Sequence, residues 1–431
     1  MMDQAPRHLQ MTDLRGSVQL ATLAVDAVTR IVEGVHQSVW DLMGVRGGKA
    51  KGQTRGITGL VYQTIYATNH LVGKGLDLAL NGLEHILPAT KEASPGTPQR
   101  EAVLAVLNGV MGDRLAASDS PFTIPMSLRY QGKILDWTSP TPLPEASGRI
   151  LLLVHGLCMN ELQWDVAHQG QPVNHGEMLA ATLGYSPVYL RYNSGLHISH
   201  NGRELAAQLE NLLAHWPVPV ESICVLAHSM GGLLIRSAVH YGRQGAMHWP
   251  EIVRQLVFLG TPHHGAPLER VGTQVHHLLA ATPFTAPFAV LGRLRSAGIT
   301  DLRYGNVLDE DWQGRNRFDR HADLRHSLPL PEGIACFTVA ASRAGKQSKL
   351  ADRLIGDGLV PLHSALGQYH KRHHSLRFAR KSRCVVYRTS HIELLSSPEV
   401  AQQLVKWLAP PSGGIVDPVS GERFRPSSDL P

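Results

Sequence analysis

The sequence predicts an α/β fold in which a mostly parallel central sheet is flanked by helices. Short apolar runs typical of buried strands alternate with segments of helical periodicity, and one run ends in a serine followed at once by a helical segment. A strand, a sharp turn and a helix in this order would lift the Ser229 hydroxyl out of the sheet. The predicted strands lie at 149–154, 186–192, 223–227, 252–259, 334–340 and 384–388, and helices at 204–213 and 398–408.

Before this alternation begins, the chain has a different pattern. Residues 17–43 and 57–87 each carry apolar side chains at alternating spacings of three and four, which predicts two amphipathic helices joined as a hairpin. A polar, proline-bearing linker at 90–100 follows. The hairpin would either pack on the main domain or present an apolar face to a lipid surface or a partner. The predicted divisions are an N-terminal helical region, an α/β domain and a flexible tail, at 1–115, 116–409 and 410–431.

Two further segments complete the predicted α/β domain. Residues 122–130 and 133–137 predict an antiparallel pair joined at Gln131-Gly132. The stretch at about 266–330 separates two predicted strands, and its first half is rich in apolar and small residues. It predicts a cap insertion that offers apolar surface to an acyl chain, or else a packing addition remote from the serine.

Composition narrows the class of protein. The chain has 431 residues, 43% of them hydrophobic and 18% charged, and its formal net charge is +6. A weak attraction to anionic membrane surfaces follows, whereas nucleic-acid binding is not expected because no Lys/Arg tract is interleaved with aromatic residues. The four cysteines form no CxxC pair, so a reducing compartment without disulfides is expected. No leader pattern or membrane-length apolar run is evident, which predicts a cytoplasmic protein, with peripheral lipid association through the N-terminal helices left open.

Three distant residues stand in the order that serine catalysis requires. A serine needs a histidine base, and the histidine needs a carboxylate, so the expected order in a parallel sheet is serine, acid, histidine. Asp357 lies between two glycines after the run at 334–340, and His391 follows the last predicted strand. An ordinary helix-capping role for Ser229 and a plain Asp-Gly turn at Asp357 are the alternatives. Five rival carboxylates precede the strand at 334–340, namely Asp301, Asp309, Asp311, Asp319 and Asp323.

Backbone donors for an oxyanion are predicted on two loops. The Met230 N–H lies at the start of the helix after Ser229, and the Leu157 N–H follows Gly156 in the loop after the strand at 149–154. His155 and His228 are predicted to be structural, and the loop from Gly260 to Gly265 to shape the rim of the pocket. The adjacent His263 and His264 do not have the spacing of metal ligands, so neither a metal nor a cofactor is predicted.

Five motifs in this order resemble the α/β-hydrolase superfamily, and within it the bacterial lipase and esterase group akin to GPI inositol-deacylase-like proteins. The resemblance implies that Ser229 is the nucleophile, Asp357 the orienting acid, His391 the base, and Leu157 and Met230 the oxyanion donors. Ala227 departs from the glycine of the commonest serine turn, and the N-terminal hairpin has no counterpart in the family pattern. The motifs are Val154–Leu157, Arg191–Gly195, Ala227–Gly232, Gly260–Gly265, and Asp357–Pro361 with Ser390-His391.

These observations predict a serine hydrolase that cleaves carboxylic esters, of lipids or other acyl compounds, through an acyl-enzyme. An acyltransferase or thioesterase would use the same triad. A protein of this fold that binds lipid or a partner with little catalysis is the alternative of a different class. The sequence does not predict acyl chain length or oligomeric state.

Overall fold

The computed structural model describes residues 97–138, 145–168, 171–266, 295–319, 322–345 and 356–409, together with Leu143 and isolated residues between 15 and 74. Its centre is an eight-stranded sheet of order β10-β9-β8-β7-β3-β6-β1-β2. The strands from β10 to β6 pair in parallel, and β1 and β2 add an antiparallel edge. The predicted fold class is therefore confirmed.

The strands are β1 Ser127–Tyr130, β2 Lys133–Ile134, β3 Arg149–Val154, β4 Val166–His168, β5 Gln171–Val173, β6 Ser186–Arg191, β7 Ser222–His228, β8 Val253–Leu259, β9 Ala335–Ser342 and β10 Arg383–Tyr387. The α-helices are α1 Pro98–Ala117, α2 His175–Leu183, α3 Ile198–His215, α4 Met230–Gln244, α5 Trp249–Ile252, α6 Ala297–Asp301, α7 Leu362–Ala365 and α8 Pro398–Leu408. Short 3₁₀ turns lie at Glu161–Trp164, Asp309–Asp311, Arg372–His374, Arg380–Ser382 and Glu393–Leu395.

Both faces of the parallel strands are buried, which explains why their sequences are continuous apolar runs. Ile150, Leu152 and Val154 of β3 point to the face that α3 and α4 cover, and Leu151 and Leu153 point to the opposite face, which α2 and α8 cover. All five side chains are fully buried. The two cores hold the sheet rigidly, so the loops at its carboxyl edge have a fixed platform.

The parallel strands follow the predictions closely. The edge strands β1 and β2, predicted at 122–130 and 133–137, are shorter than predicted, and α2 and the small β4–β5 pair were not predicted. Helix α2 has clear end signals: the Asn174 side chain accepts hydrogen bonds from the N–H groups of Gly176 and Glu177, and Gly184 ends the helix with φ 71°. Asparagine at the start and left-handed glycine at the end are the common caps of a helix. The short helix 175–183 could therefore have been recognised from its caps.

The N-terminal region is described only at scattered positions, which are helical at 15–20 and again at 58–63. Glu33 accepts hydrogen bonds from Thr54 and from the Tyr66 hydroxyl. The His70 Nε2 atom lies 3.0 Å from Asp26 Oδ2. These contacts link the two segments for which the hairpin is predicted. The bounds of that hairpin, residues 267–294 of the predicted cap, and the tail from residue 410 fall outside the described residues. No described helix has the length and hydropathy of a membrane span.

Candidate active site

Ser229 occupies the sharp turn between β7 and α4, with φ 55° and ψ −125°. A side chain is disfavoured at positive φ, so the turn stores strain. Two backbone hydrogen bonds hold it: the Ser229 N–H donates to Leu259 O at 2.8 Å, and the Gly232 N–H donates to Ser229 O at 3.0 Å. The hydroxyl is thereby held at the carboxyl edge of the sheet, as the sequence predicted.

Gly231 allows α4 to approach β3 closely. A Cβ at this position would lie 2.6 Å from the carbonyl oxygen of His155 and 2.7 Å from that of Val154. Real Cβ atoms do not approach backbone oxygens so closely, and only glycine fits here. Because α4 docks in this way, its first N–H group lies beside the loop that follows β3.

Asp357 is held in a tight turn by its own side chain. Its Oδ1 accepts from the N–H groups of Leu359, at 2.9 Å, and Val360, at 2.7 Å. Gly356 and Gly358, on either side, have φ 50° and 100°. The carboxylate is almost completely buried. One oxygen is thus fixed by the turn, and the other is free to contact a partner.

That partner is His391. Its Nδ1 lies 2.6 Å from Asp357 Oδ2, and its backbone N–H donates to Asp357 O at 3.1 Å. An ionised carboxylate only accepts, so Nδ1 is the donor in this contact. A Cβ on Gly260, the first residue after β8, would lie 3.1 Å from the His391 ring. The glycine therefore makes room for the imidazole.

The His391 ring lies next to the serine turn. Its centroid is 4.7 Å from that of His228, the residue that precedes Ser229, and His228 Nε2 donates to His391 O at 3.1 Å. Burial, and then the proximity of His391, lower the pKa of His228 well below its ordinary value. Among the described residues, Ser229 Oγ makes no hydrogen bond, so none joins Ser229 to His391 in this structure. Catalytic hydrogen bonds are often long without substrate.

The two predicted oxyanion donors follow adjacent strands: Leu157 lies in the loop after β3, and Met230 is the first residue of α4, after β7. A Cβ on Gly156 would be 3.0 Å from Ser229 Cβ, so the loop after β3 passes directly beside the serine. Within the described residues, neither the Leu157 N–H nor the Met230 N–H donates to a protein acceptor. Unpaired backbone donors beside a strained serine are what an oxyanion site needs.

His155 packs around the site without facing it. Its ring stacks on Tyr192 at a centroid distance of 4.3 Å, and the Tyr192 hydroxyl donates to His155 O at 3.0 Å. The Nδ1 atom donates to Gly156 O at 2.9 Å. Burial lowers the pKa of His155 to about 4, so the ring is neutral at physiological pH. Tyr192 lies in the predicted Arg191–Gly195 motif, but its stacking on His155 was not predicted.

The Gly260–Gly265 loop, predicted to shape the pocket rim, is buried along its whole length. The His263 ring is fully buried and lies 4.9 Å from Phe258 and 5.5 Å from Phe378 between centroids. His264 accepts from Arg325 Nη2, and burial, followed by the Arg325 charge, lowers its pKa to about 3. Both histidines are therefore buried, and their packing stabilises the loop.

The rival carboxylates are engaged elsewhere. Asp301 contacts His197 Nδ1 at 3.1 Å and accepts from the Ile198 N–H at 2.9 Å, so it caps the start of α3. Asp309 pairs with Arg203 on the same helix. Among the predicted candidates, only Asp357 contacts His391 in the described part of the chain.

A family model agrees with this architecture. Residues 145–327 match the model of the PGAP1-like alpha/beta domain, which is less than half of the chain. The matched range includes Leu157, Ser229 and Met230 and ends before Asp357 and His391. No curated protein sequence matches the chain significantly.

The solved structures that match part of the chain include lipases and esterases. The mature Bacillus licheniformis lipase BlEst2 is 19% identical, with a TM-score of 0.38, and the match covers 63% of this chain and 95% of that one. The metagenomic carboxyl esterase MGS0156 is 15% identical, with a TM-score of 0.36, and the match covers 73% of this chain and 96% of that one. Aspergillus fumigatus lipase B is 11% identical, with a TM-score of 0.36. The match covers 64% of this chain and 54% of that one, which is about half of that protein.

Proposed function

We propose that the chain is a member of the α/β-hydrolase superfamily and a serine hydrolase that cleaves carboxylic esters of lipids or other acyl compounds. The observation that carries the proposal is the buried Asp357–His391 pair beside the strained serine turn. A plain Asp-Gly turn does not need a buried histidine on the second carboxylate oxygen, and a packing serine does not need positive φ. Together these features support a catalytic function.

In the proposed reaction, Ser229 Oγ attacks the ester carbonyl carbon while His391 Nε2 takes the hydroxyl proton. The Leu157 and Met230 N–H groups stabilise the oxyanion. His391 returns the proton to the leaving alcohol as the C–O bond breaks. Water then attacks the acyl-enzyme by the same path and releases the acid. Asp357 holds the imidazole in the required tautomer throughout.

The direct test is labelling of the full-length protein with a fluorophosphonate, which reacts with activated serines. We expect one adduct at Ser229, located by peptide mass spectrometry, and none in Ser229→Ala. Folded wild-type protein that stays unlabelled at Ser229 would count decisively against the proposal. Hydrolysis of p-nitrophenyl esters of rising acyl length then identifies the preferred chain.

The role of Asp357 is tested by Asp357→Asn. The amide preserves the shape of the turn but presents the wrong partner to His391, so we expect kcat to fall by about 10³- to 10⁴-fold with KM nearly unchanged. Asp119→Asn is the matched control, because Asp119 is exposed and makes no hydrogen bond or ion pair with the proposed triad in the described part of the chain. Equal kcat values for Asp357→Asn and wild type would remove Asp357 from the mechanism.

We also propose that the N-terminal region touches a lipid surface. Leu60, Val61 and Ile65, on helical residues of the predicted hairpin, are 64%, 52% and 40% exposed. Exposed apolar side chains on one helix, together with the net charge of +6, favour an anionic lipid interface.

The lipid contact is tested by vesicle sedimentation of the full-length protein. We expect the triple variant Leu60→Ser, Val61→Ser and Ile65→Ser to bind anionic phosphatidylglycerol vesicles several-fold more weakly than wild type. Leu324→Ser serves as control, since Leu324 is 55% exposed in the α/β domain. Unchanged binding by the triple variant would leave the hairpin without a lipid function.

A further inference from the structure

Helix α1 lies directly against the loop that carries the predicted oxyanion donor Leu157. A Cβ on Gly109 of α1 would lie 2.8 Å from both the backbone N and the Cα of Cys158, the residue after Leu157. Cys158 itself has φ 60°, so the loop makes a strained bend at the point of contact. No larger residue than glycine fits between the helix and this bend.

A second set of contacts joins α1 to the loop after β6. Asn193 Nδ2 donates to Gly112 O at 2.9 Å, and a Cβ on Gly195 would lie 2.7 Å from the Gly112 N. This loop in turn contacts the oxyanion loop, because the Cys158 N–H donates to Ser194 Oγ at 3.1 Å. The bend at Cys158 is therefore supported both by α1 and by a loop that α1 supports.

Polar groups hold the start of α1 in the same place. Asn160 Nδ2 donates to Glu101 O at 3.0 Å, which ties the oxyanion loop to the first turn of the helix. The Glu101 carboxylate pairs with Arg191, and Arg191 also binds Glu161 Oε2 at 2.6 Å. All these groups are largely buried, so the tether is shielded from water.

We propose that α1, which precedes the α/β domain in the chain, positions the oxyanion loop, with Gly109 as its main positioning residue. The inference rests on the proposed function and goes beyond it. It makes α1 a part of the catalytic apparatus and not only a link to the N-terminal region. Gly109 acts through Cys158 on the direction of the Leu157 N–H and does not touch the substrate.

The test is Gly109→Ala in the full-length protein. The added methyl must push the loop away, and because a misplaced oxyanion donor acts on the transition state, we expect kcat to fall by about ten- to a hundredfold with KM within about twofold. Hydrogen exchange of the 155–160 amides, measured by mass spectrometry, should accelerate. Gly242→Ala is the control: its Cβ would lie 2.9 Å from Trp249 at the far end of α4, so it should lower thermal stability and leave kcat and the 155–160 amides unchanged.

Asn160→Ser is the second variant if Gly109→Ala does not fold. It keeps a neutral side-chain oxygen at the cap of Leu162 and removes the amide donor to Glu101 O. A several-fold lower kcat and faster exchange at 155–160 are expected. Wild-type kcat and exchange in both folded variants would overturn the inference while the proposed function stands. An inactive wild type would defeat the proposed function, and the exchange measurement would still decide whether α1 holds the loop.

Discussion

At the scale of single residues, the serine turn depends on a conformation that its own side chain disfavours. Ser229 has φ 55°, and the turn is held by the hydrogen bond from its N–H to Leu259 O and by the close packing of Gly231. Strain of this kind is retained where the surrounding structure over-determines it, and it is concentrated at functional sites. A substitution that tolerates positive φ should therefore relieve the strain, and its effect on stability tests whether the strain exists.

Two substitutions that both delete the hydroxyl separate strain from chemistry. Both Ser229→Gly and Ser229→Ala should be inactive, but glycine tolerates positive φ and alanine does not. We therefore expect the glycine variant to be more stable than the alanine variant by about 1 kcal/mol. Urea denaturation measures the difference. An alanine variant as stable as the glycine variant would mean that the turn is unstrained.

At the scale of elements, the site depends on how closely α4 docks on β3. The helix has no side-chain cap at Ser229, so the Met230 N–H stays available, and Gly231 lets the helix start lie against the backbone of Val154 and His155. The strand end, the turn and the helix start thus form one unit. The sequence pattern around Ser229 predicted this unit because all its contacts are local or involve the neighbouring strand.

Gly231→Ala should disrupt this unit. The new Cβ would meet two backbone oxygens that cannot rotate away, so we expect a loss of about 2 kcal/mol or more in unfolding free energy and loss of fluorophosphonate labelling. Gly245→Ala, at the other end of α4, is the matched control: its φ is −82° and the nearest atom to its Cβ would be 3.3 Å away. If both variants behaved alike, the close approach at Gly231 would not matter.

At the scale of the whole molecule, an unusual feature is a group of buried, neutral histidines. Burial is the largest cause of a lowered pKa in each of them, and the pKa values of His155 and His264 fall to about 4 and about 3. The others are His175, His228 and His263. In the unfolded chain each would titrate near 6.5.

This group predicts that stability falls in mild acid. Below pH ~6.5 the unfolded state binds protons that the folded state excludes, so each histidine lowers the unfolding free energy by up to about 1.4 kcal/mol per pH unit until its folded pKa is reached. Thermal unfolding at pH 7.5 and 5.5 should show this drop in stability. His263 packs between two phenylalanines, so His263→Phe should fit there and reduce the drop by about 1 kcal/mol. The exposed His373→Gln is the control. Equal drops in wild type and His263→Phe would show that His263 is protonated in the folded state.

Much of this molecule could be predicted from the sequence, because the informative signals are local. Buried parallel strands are continuous apolar runs, and β3, β7 and β10 were predicted to within a residue or so. The order of Ser229, Asp357 and His391 follows from the same alternation, since each residue comes after a strand that ends at one edge. Helix α2 and the β4–β5 pair were not predicted, because they are short and lack a long apolar period.

Only the tertiary structure decided which segments far apart in the chain contact each other. The sequence alone determined the fold class and the candidates for the site. The glycine-flanked turn favoured Asp357 over Asp301 from the sequence, but only the structure shows that Asp357 meets His391 and that Asp301 caps α3. The contact of α1 with the bend at Cys158 had no sequence signal, because a glycine in a helix looks the same whether or not another backbone lies against it. Periodicity records which face of an element is buried, and it does not record what the buried face touches.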